Sequence, residues 1–339
     1  MFYKKEFNAL NLFRIIFVFK IIIIFSIHSF SQDIHFSQFN NSPLIINPAL
    51  TGNIDEEFRV GINYRNQGES ITLPYKTFSV FLDSRLIPNF LRNSEIGIGG
   101  LFYNDNAGDG NLQNSTGMLF SSFTKGFNRD NTFLATIGFS VGFFNRSVNF
   151  AEVTFDSQWN GTIFDPSIAN GEPFINNSVF AFNFNFGVLI SYSFSPKIIA
   201  KIGSSINHVN RPKVSFYDSD YRLDQKYIFH GDVKVELNKF VSISPGFMYS
   251  THGENYEALF GSNISFGESD LKINCGLWYR LERDIIPVVG LIYDNYYLSL
   301  SYDVNISNLH RASNYRGGYE ISLIKSFSIN KKYLPCRSF

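Results

Sequence analysis

The sequence predicts an all-β fold, a transmembrane antiparallel β-barrel of about 14 strands, with 12 and 16 as the alternative counts and both termini periplasmic. Three observations carry that reading. Apolar and polar residues alternate in roughly fourteen stretches after residue 57, the stretches are long enough to cross a bilayer, and short and long connections take turns between them. No stretch in that span sustains the 3.6-residue period of an amphipathic helix.

Composition supports the class. Only 17% of the 339 residues are charged, while 44% are hydrophobic and 17% aromatic, a mixture unlike that of a soluble enzyme. The 29 basic residues are matched by 29 acidic ones, which leaves no electrostatic footprint for nucleic acid or an anionic membrane surface. No nucleic-acid partner is expected.

The N-terminal residues separate from the rest. Lys4, Lys5, Arg14 and Lys20 precede the run IIIIFSI, and Ser29-Phe30-Ser31 offers a small-x-small cleavage site before Gln32. Residues 1–31 therefore read as a cleaved secretory signal peptide. The competing reading, an uncleaved membrane anchor, meets an apolar run of about ten residues where a spanning helix needs roughly 20. No lipobox-type cysteine follows the run, so no lipid anchor is expected there.

Residues 32–57 form a segment of their own, periplasmic in this reading. Its stretch HFSQFNNSPLIINPALTGN (35–53) begins like a strand, ends like a turn, and fits neither a helix nor a repeat. Asn47-Pro48 and Thr51-Gly52 are turn formers, whereas Phe36, Phe39, Leu44 and Ile45 are apolar. Such a segment is expected to fold against, or into, the periplasmic mouth of a barrel spanning 58–328, with 329–339 as a periplasmic tail.

The strands justify the barrel one by one. In SVFAFNFNFGVLISYS, Phe180, Phe182, Phe184, Phe186, Val188, Ile190 and Tyr192 share one face, opposite Ala181, Asn183, Asn185, Gly187 and Ser191. That apolar face runs roughly 40 Å at about 3.3 Å per residue, and a tilt of about 40° brings it to roughly 30 Å, the thickness of a hydrocarbon core. TFLATIGFSVGFF sets Phe133, Ala135, Ile137, Phe139, Val141 and Phe143 opposite Thr136, Gly138, Ser140 and Gly142. YYLSLSYDVN places Tyr296 and Tyr302 near the two ends of its apolar face, where interfacial girdles occur. YIFHGDVKVEL puts His230, Asp232, Lys234 and Glu236 on one side, a mixed-charge row suited to a polar lumen. A soluble sandwich alternates too, but its strands average about 5–6 residues.

Connections give an independent test. SPK (195–197), NK (238–239), ESD (268–270) and DN (294–295) read as tight turns, and they alternate with longer connections at 145–178, 209–226, 251–255, 281–285 and 305–314. With FRVGINYR as the first strand, all the tight turns fall on the side where the chain begins. The stretches 84–94 and 124–131 are longer than that side usually carries.

Catalytic chemistry finds no foothold, so no enzyme is expected. The sequence holds no nucleophile elbow, no HExxH, no Walker loop and no dinucleotide fingerprint. DNAGDGN (105–111) partly resembles a calcium loop but has Ala107 and Thr116 where oxygen ligands are needed, and it reads better as a hairpin loop. Cys275 sits in an alternating stretch and reads as buried packing, and neither it nor Cys336 has zinc-ligand neighbours. No metal site or cofactor is expected. The segment 149–177 carries Trp159, Phe164 and Phe174 among turn formers, as either a partner-contact loop or a self-packed cap over the outer mouth.

One resemblance covers the whole mature chain. QDIHFSQFNNSPLIINPALTG followed by RVGINYRNQG resembles the opening of the PorP/SprF family of the type IX secretion system, which pairs Q-D-x-H-F-S-Q-F with P-L-x-x-N-P-A-x-T-G and then N-Y-R-x-Q. SYDVNISNL (301–309) and GGYEISL (317–323) resemble the family's last two strands, while the end PCRSF departs from its usual C-P-R-F. The resemblance implies a non-enzymatic outer-membrane barrel of a Gram-negative bacterium, within a machine that exports proteins bearing a C-terminal secretion domain. Some members serve adhesins of gliding motility. It implies a partner-binding motif at His35, Phe36, Ser37, Gln38, Asn47, Pro48, Ala49, Gly52, Tyr64 and Arg65. The implied partners are other secretion subunits, a secreted cargo protein and outer-membrane lipid. A passive porin or small-solute channel is the alternative, and a scaffold without a conduit a third. Deleting 33–53 separates the first two: a channel keeps its conductance, a secretion component loses export.

Overall fold

The computed structural model describes residues 34–70, 73–88, 93–108, 110–150, 153–173, 176–217, 219–268 and 270–328. The proposed signal peptide, the tail 329–339, Asp109, Phe174 and Cys336 lie outside them.

Period-two alternation puts successive side chains on opposite faces, and the chain repeats it in fourteen strands. They are β1 (Phe58–Gln67), β2 (Tyr75–Leu86), β3 (Ser94–Ala107), β4 (Leu112–Gly126), β5 (Phe133–Ser147), β6 (Ser178–Ser195) and β7 (Ile198–Asn207), followed by a second set of seven. The second set is β8 (Lys226–Glu236), β9 (Val241–His252), β10 (Asn255–Gly267), β11 (Leu271–Arg280), β12 (Asp284–Tyr293), β13 (Tyr296–Asn305) and β14 (Arg316–Phe327). Each pairs antiparallel with its sequence neighbours, and β14 pairs with β1 to close the barrel. Closure satisfies every ladder and leaves no edge, the condition for spanning a bilayer.

The two faces are inverted relative to a soluble sandwich. Phe180, Phe182, Phe186, Val188, Ile190 and Tyr192 point outward and are exposed, while Asn183, Asn185, Gly187 and Ser191 are buried. On β4 the outward Leu119 is 69% exposed, whereas the inward Ser140 of β5 is 0% exposed. Outward rings stack across strands, as Phe143 does on Phe180 at 5.4 Å between centroids. Cys275 belongs to this outward face. It is exposed, not buried packing, because it shares the parity of Ile273 and Leu277 on β11.

The connections sort to two ends. Residues 196–197, 237–240, 268–270 and 294–295 turn tightly at the end where β1 begins, which also carries the longer 87–93 and 127–132. The opposite, long-loop end carries 148–177, 208–225 and 306–315. It also carries 253–254 and 281–283, expected among the longer loops but closed as tight turns, with Gly253 at φ +59° and Glu282 at φ +58°. The two longest loops pack together: Phe150 meets Phe216 edge-on at 6.1 Å, and Tyr217 donates to Glu172.

Residues 34–57 lie deeper than the mouth. They run through the lumen from the long-loop end, where the Ile34 carbonyl accepts from Lys226 at the start of β8, to the tight-turn end, where β1 begins. They form three single helical turns, Phe39–Asn41, Pro43–Ile46 and Pro48–Leu50, too short for any helical period to register in the sequence. Pro43 and Pro48 start two of them, where proline's fixed φ and missing N–H fit the first helical position. This plug divides the core in two. Phe36 and Leu44 pack with Phe81, Leu101, Met118 and Phe120 on one side, and Phe39 and Ile46 with Ile228, Met248, Trp278 and Ile286 on the other.

Candidate functional site in the barrel lumen

Three anchor points hold the plug, and each uses residues of the motif. At the tight-turn end, Gly52 takes φ +68° and donates its N–H to Asp83 Oδ2 at 2.8 Å. Arg59 forks onto the same carboxylate, Nη2 to Oδ2 at 2.8 Å and Nε to Oδ1 at 2.9 Å. A Cβ at residue 52 would meet the Gly97 backbone at 2.8 Å, so both conformation and space call for glycine.

Midway, Asn47-Pro48-Ala49 lies against the wall. Asn47 Oδ1 accepts from the Ala49 N–H at 2.8 Å, which fixes the amide and turns Nδ2 outward. Nδ2 reaches the carbonyls of Val188 (3.0 Å) and Ser204 (3.3 Å) and His230 Nε2 (3.0 Å). Since Nδ2 only donates, His230 Nε2 accepts, and the imidazole is the neutral tautomer with its proton on Nδ1. The wall is thinned to admit this backbone: a Cβ at Gly187 would sit 1.9 Å from Asn47 Oδ1, and one at Gly138 2.2 Å from Ala49 N.

Toward the long-loop end a buried charge cluster grips the first described residues. The backbone N–H groups of Ser37 and Gln38 donate to the two oxygens of Glu320, at 2.7 and 3.1 Å. Ser37 Oγ donates to Asp303 at 2.7 Å and accepts from Arg280 Nη2 at 2.7 Å. Asp303 is shared by Arg65 at 2.8 Å and Arg280 at 3.2 Å, and Arg280 also meets Glu257 at 2.7 Å and Asp284 at 2.6 Å. Arg65 Nη1 donates to the His35 carbonyl at 3.0 Å. The Gln38 side chain lies between Ser301 and Ser299, and Asn41 donates to Ser299. Burial lowers the pKa of His35 from 6.5 to about 3; Arg65, Arg280 and Lys226 act in the same direction and Glu257 against them. Its Nε2 is buried without a hydrogen-bond partner.

The structure thus brings together nine of the ten motif residues in the lumen. Tyr64 stands apart, on the outward face against Tyr319 at 6.2 Å. Sequence reasoning put His230 on a lumen face without assigning it to the site, and it missed the role of the other wall residues that complete the site, among them Asp83, Arg280, Asp303 and Glu320. Asp303 and Glu320 had a signal: each is a carboxylate on the small-residue face of an alternating strand. Among the described residues, no three or more His, Cys, Asp or Glu side chains gather as a metal site. Apart from a few buried polar atoms such as His35 Nε2, the donors and acceptors described above are spent on holding the plug.

The sequence matches the family model of the type IX secretion system membrane protein PorP/SprF over residues 28–324. The chain belongs to the PorP/SprF family. The stretch 35–53 that the sequence resemblance singled out lies within the plug, and Arg65 of N-Y-R enters its clasp. No curated protein matches this PorP/SprF member in sequence. Among solved structures, the toluene transporter TbuX of Ralstonia pickettii is 11% identical with a TM-score of 0.51, over 85% of this chain and 94% of that one. The toluene transporter TodX of P. putida is 10% identical with a TM-score of 0.49, over 86% and 95%. At such identity the likeness to TbuX shows an outer-membrane barrel fold alone. Family and fold are those of a secretion-system membrane barrel, not of an enzyme class.

Proposed function

We propose that this PorP/SprF barrel is a non-enzymatic outer-membrane component of type IX secretion that works by binding other secretion subunits or a secreted cargo protein, not by passing small solutes. The observation that carries the reading is the filled lumen: Ser37, Asn47, Ala49 and Thr51 are each at most 2% exposed inside the barrel. A porin needs a water-filled lumen. In this reading residues 1–31 are removed on export, the tight-turn end faces the periplasm, and lipid surrounds the outward apolar belt. The motif keeps the lumen closed and shaped, so partners meet the rims and loops, including Trp159 and Phe164, which stand exposed at 5.1 Å from each other.

The test is a mild-detergent pull-down of the tagged chain from outer membranes, beside a variant carrying Asn47→Ala and Pro48→Ala, with heat-modifiability on gels confirming a folded barrel. Secretion subunits or a large secreted protein recovered with the full-length chain and lost with the variant support the reading. A full-length chain that comes out alone and conducts in a planar bilayer at neutral pH overturns it in favour of the channel.

A further inference from the structure

Two imidazoles stand at the anchors of the plug, and neither tolerates a second proton where it sits. The Asn47 amide presents only N–H to His230 Nε2, so a protonated His230 would set donor against donor at 3.0 Å. At the clasp, the buried Nε2 of His35 has no hydrogen-bond partner. We propose that His35 and His230, both neutral, form an acid-labile latch, and that protonating them frees residues 34–57 from the wall and opens the lumen.

The surroundings decide the sign. Facing His35 are Arg65 of β1, Lys226 of β8 and Arg280 of β11, with Glu257 of β10 as the opposing charge. A cation added there joins three others beside carboxylates that Arg65 and Arg280 already pair, namely Glu257, Asp284, Asp303 and Glu320. Facing His230 are Lys201 of β7 and Asp232, two positions along its own strand; β7 and β9 otherwise offer Gly203 and Met248 in register, and the plug offers Asn47. The two sites lie on opposite sides of the turn Phe39–Asn41, so their protonation releases the plug at two of its three anchors together. The anchor at Gly52 and Asp83 contains no imidazole and stays, which keeps the plug tethered as it swings.

The carboxylates of Asp303 and Glu320, which also hold Ser37 and Gln38, are the competing acid sensors, and the experiment separates them. Purified wild type and a His35→Gln/His230→Gln variant are compared in planar bilayers at about pH 7.5 and about pH 4. A glutamine oxygen accepts from Asn47 at any pH, so the variant keeps the bond that His230 loses. Wild type is expected closed at neutral pH and open roughly tenfold or more of the time at acid pH, while the variant stays closed at both. Should the double variant fail to give a heat-modifiable barrel, His230→Gln alone carries the same comparison. Equal acid opening of wild type and variant overturns the latch and assigns the response to the carboxylates. A wild-type barrel that remains folded and closed at acid pH overturns it as well. The inference rests on the plug being resident: conductance at neutral pH tests that reading, and the acid difference between the two proteins tests the latch alone.

Discussion

Ser37 donates its backbone N–H to the Glu320 carboxylate at 2.7 Å, although 283 positions separate the two in the chain. Gln38 donates to the other oxygen, and Arg65 lies opposite Glu320 in register across the β1–β14 seam. Removing one partner of a buried charge cluster leaves the others uncompensated and costs about 3–5 kcal/mol. Glu320→Ala should lower the urea midpoint of the folded, heat-modifiable form accordingly. Glu320→Gln should cost less, because its amide oxygen still accepts one of the two N–H groups. An Ala variant with the wild-type midpoint would refute the clasp.

Gly187 tests the middle anchor. Its Cβ would sit 1.9 Å from Asn47 Oδ1, so Gly187→Ala should displace the plug at a cost of about 1–3 kcal/mol while leaving β6 paired. Limited proteolysis should then cut within 34–57, a region protected in wild type. Gly100→Ala is the control, since a Cβ there meets nothing closer than 3.8 Å. Equal protection in both variants contradicts the arrangement.

Acid should weaken the fold through His35. Its folded pKa of about 3 lies below the ordinary 6.5, so the unfolded chain binds the proton more readily. The stability that a neutral His35 contributes is complete above about pH 6.5 and lost as pH falls toward about 3. Urea midpoints measured down that range should fall more steeply for wild type than for His35→Gln. Parallel curves would place the acid sensitivity in other groups.

The outward face predicts its own mutational profile. Leu119 is 69% exposed at the centre of β4, where an arginine would face hydrocarbon. Leu119→Arg should cost about 2–4 kcal/mol in lipid, read as reduced folding yield into vesicles. In detergent, where the headgroup region is close, the penalty should shrink. No penalty in lipid would argue that β4 is not lipid-facing.

The barrel was legible because one force, the bilayer, imposes one period on every strand: Phe180 to Tyr192 alternate with Asn183 to Ser191 whatever the loops do. Cys275 was misplaced because a free cysteine is usually buried, whereas here it shares the apolar parity of Ile273 and Leu277, which in such a barrel is the outer face. The plug was not legible as structure. Turns of three or four residues, such as Pro48–Leu50, show no period, and depth in a lumen leaves no local mark. The charge cluster was hidden for another reason: Arg65, Arg280, Asp303 and Glu320 lie on four strands, and only closure brings them to one point.

That closure has a consequence for assembly. Arg65 stands on the first strand and Glu320 on the last, directly across the final seam. The share of the clasp that Arg65 supplies, its bonds to the His35 carbonyl, Asp303 and Glu320, therefore comes into being only when the two ends of the sheet meet. A half-zipped barrel lacks that share of the clasp, and a finished one has it. The Arg65 bonds thus act as the molecule's own inspection stamp, set when the last hydrogen-bond ladder is complete.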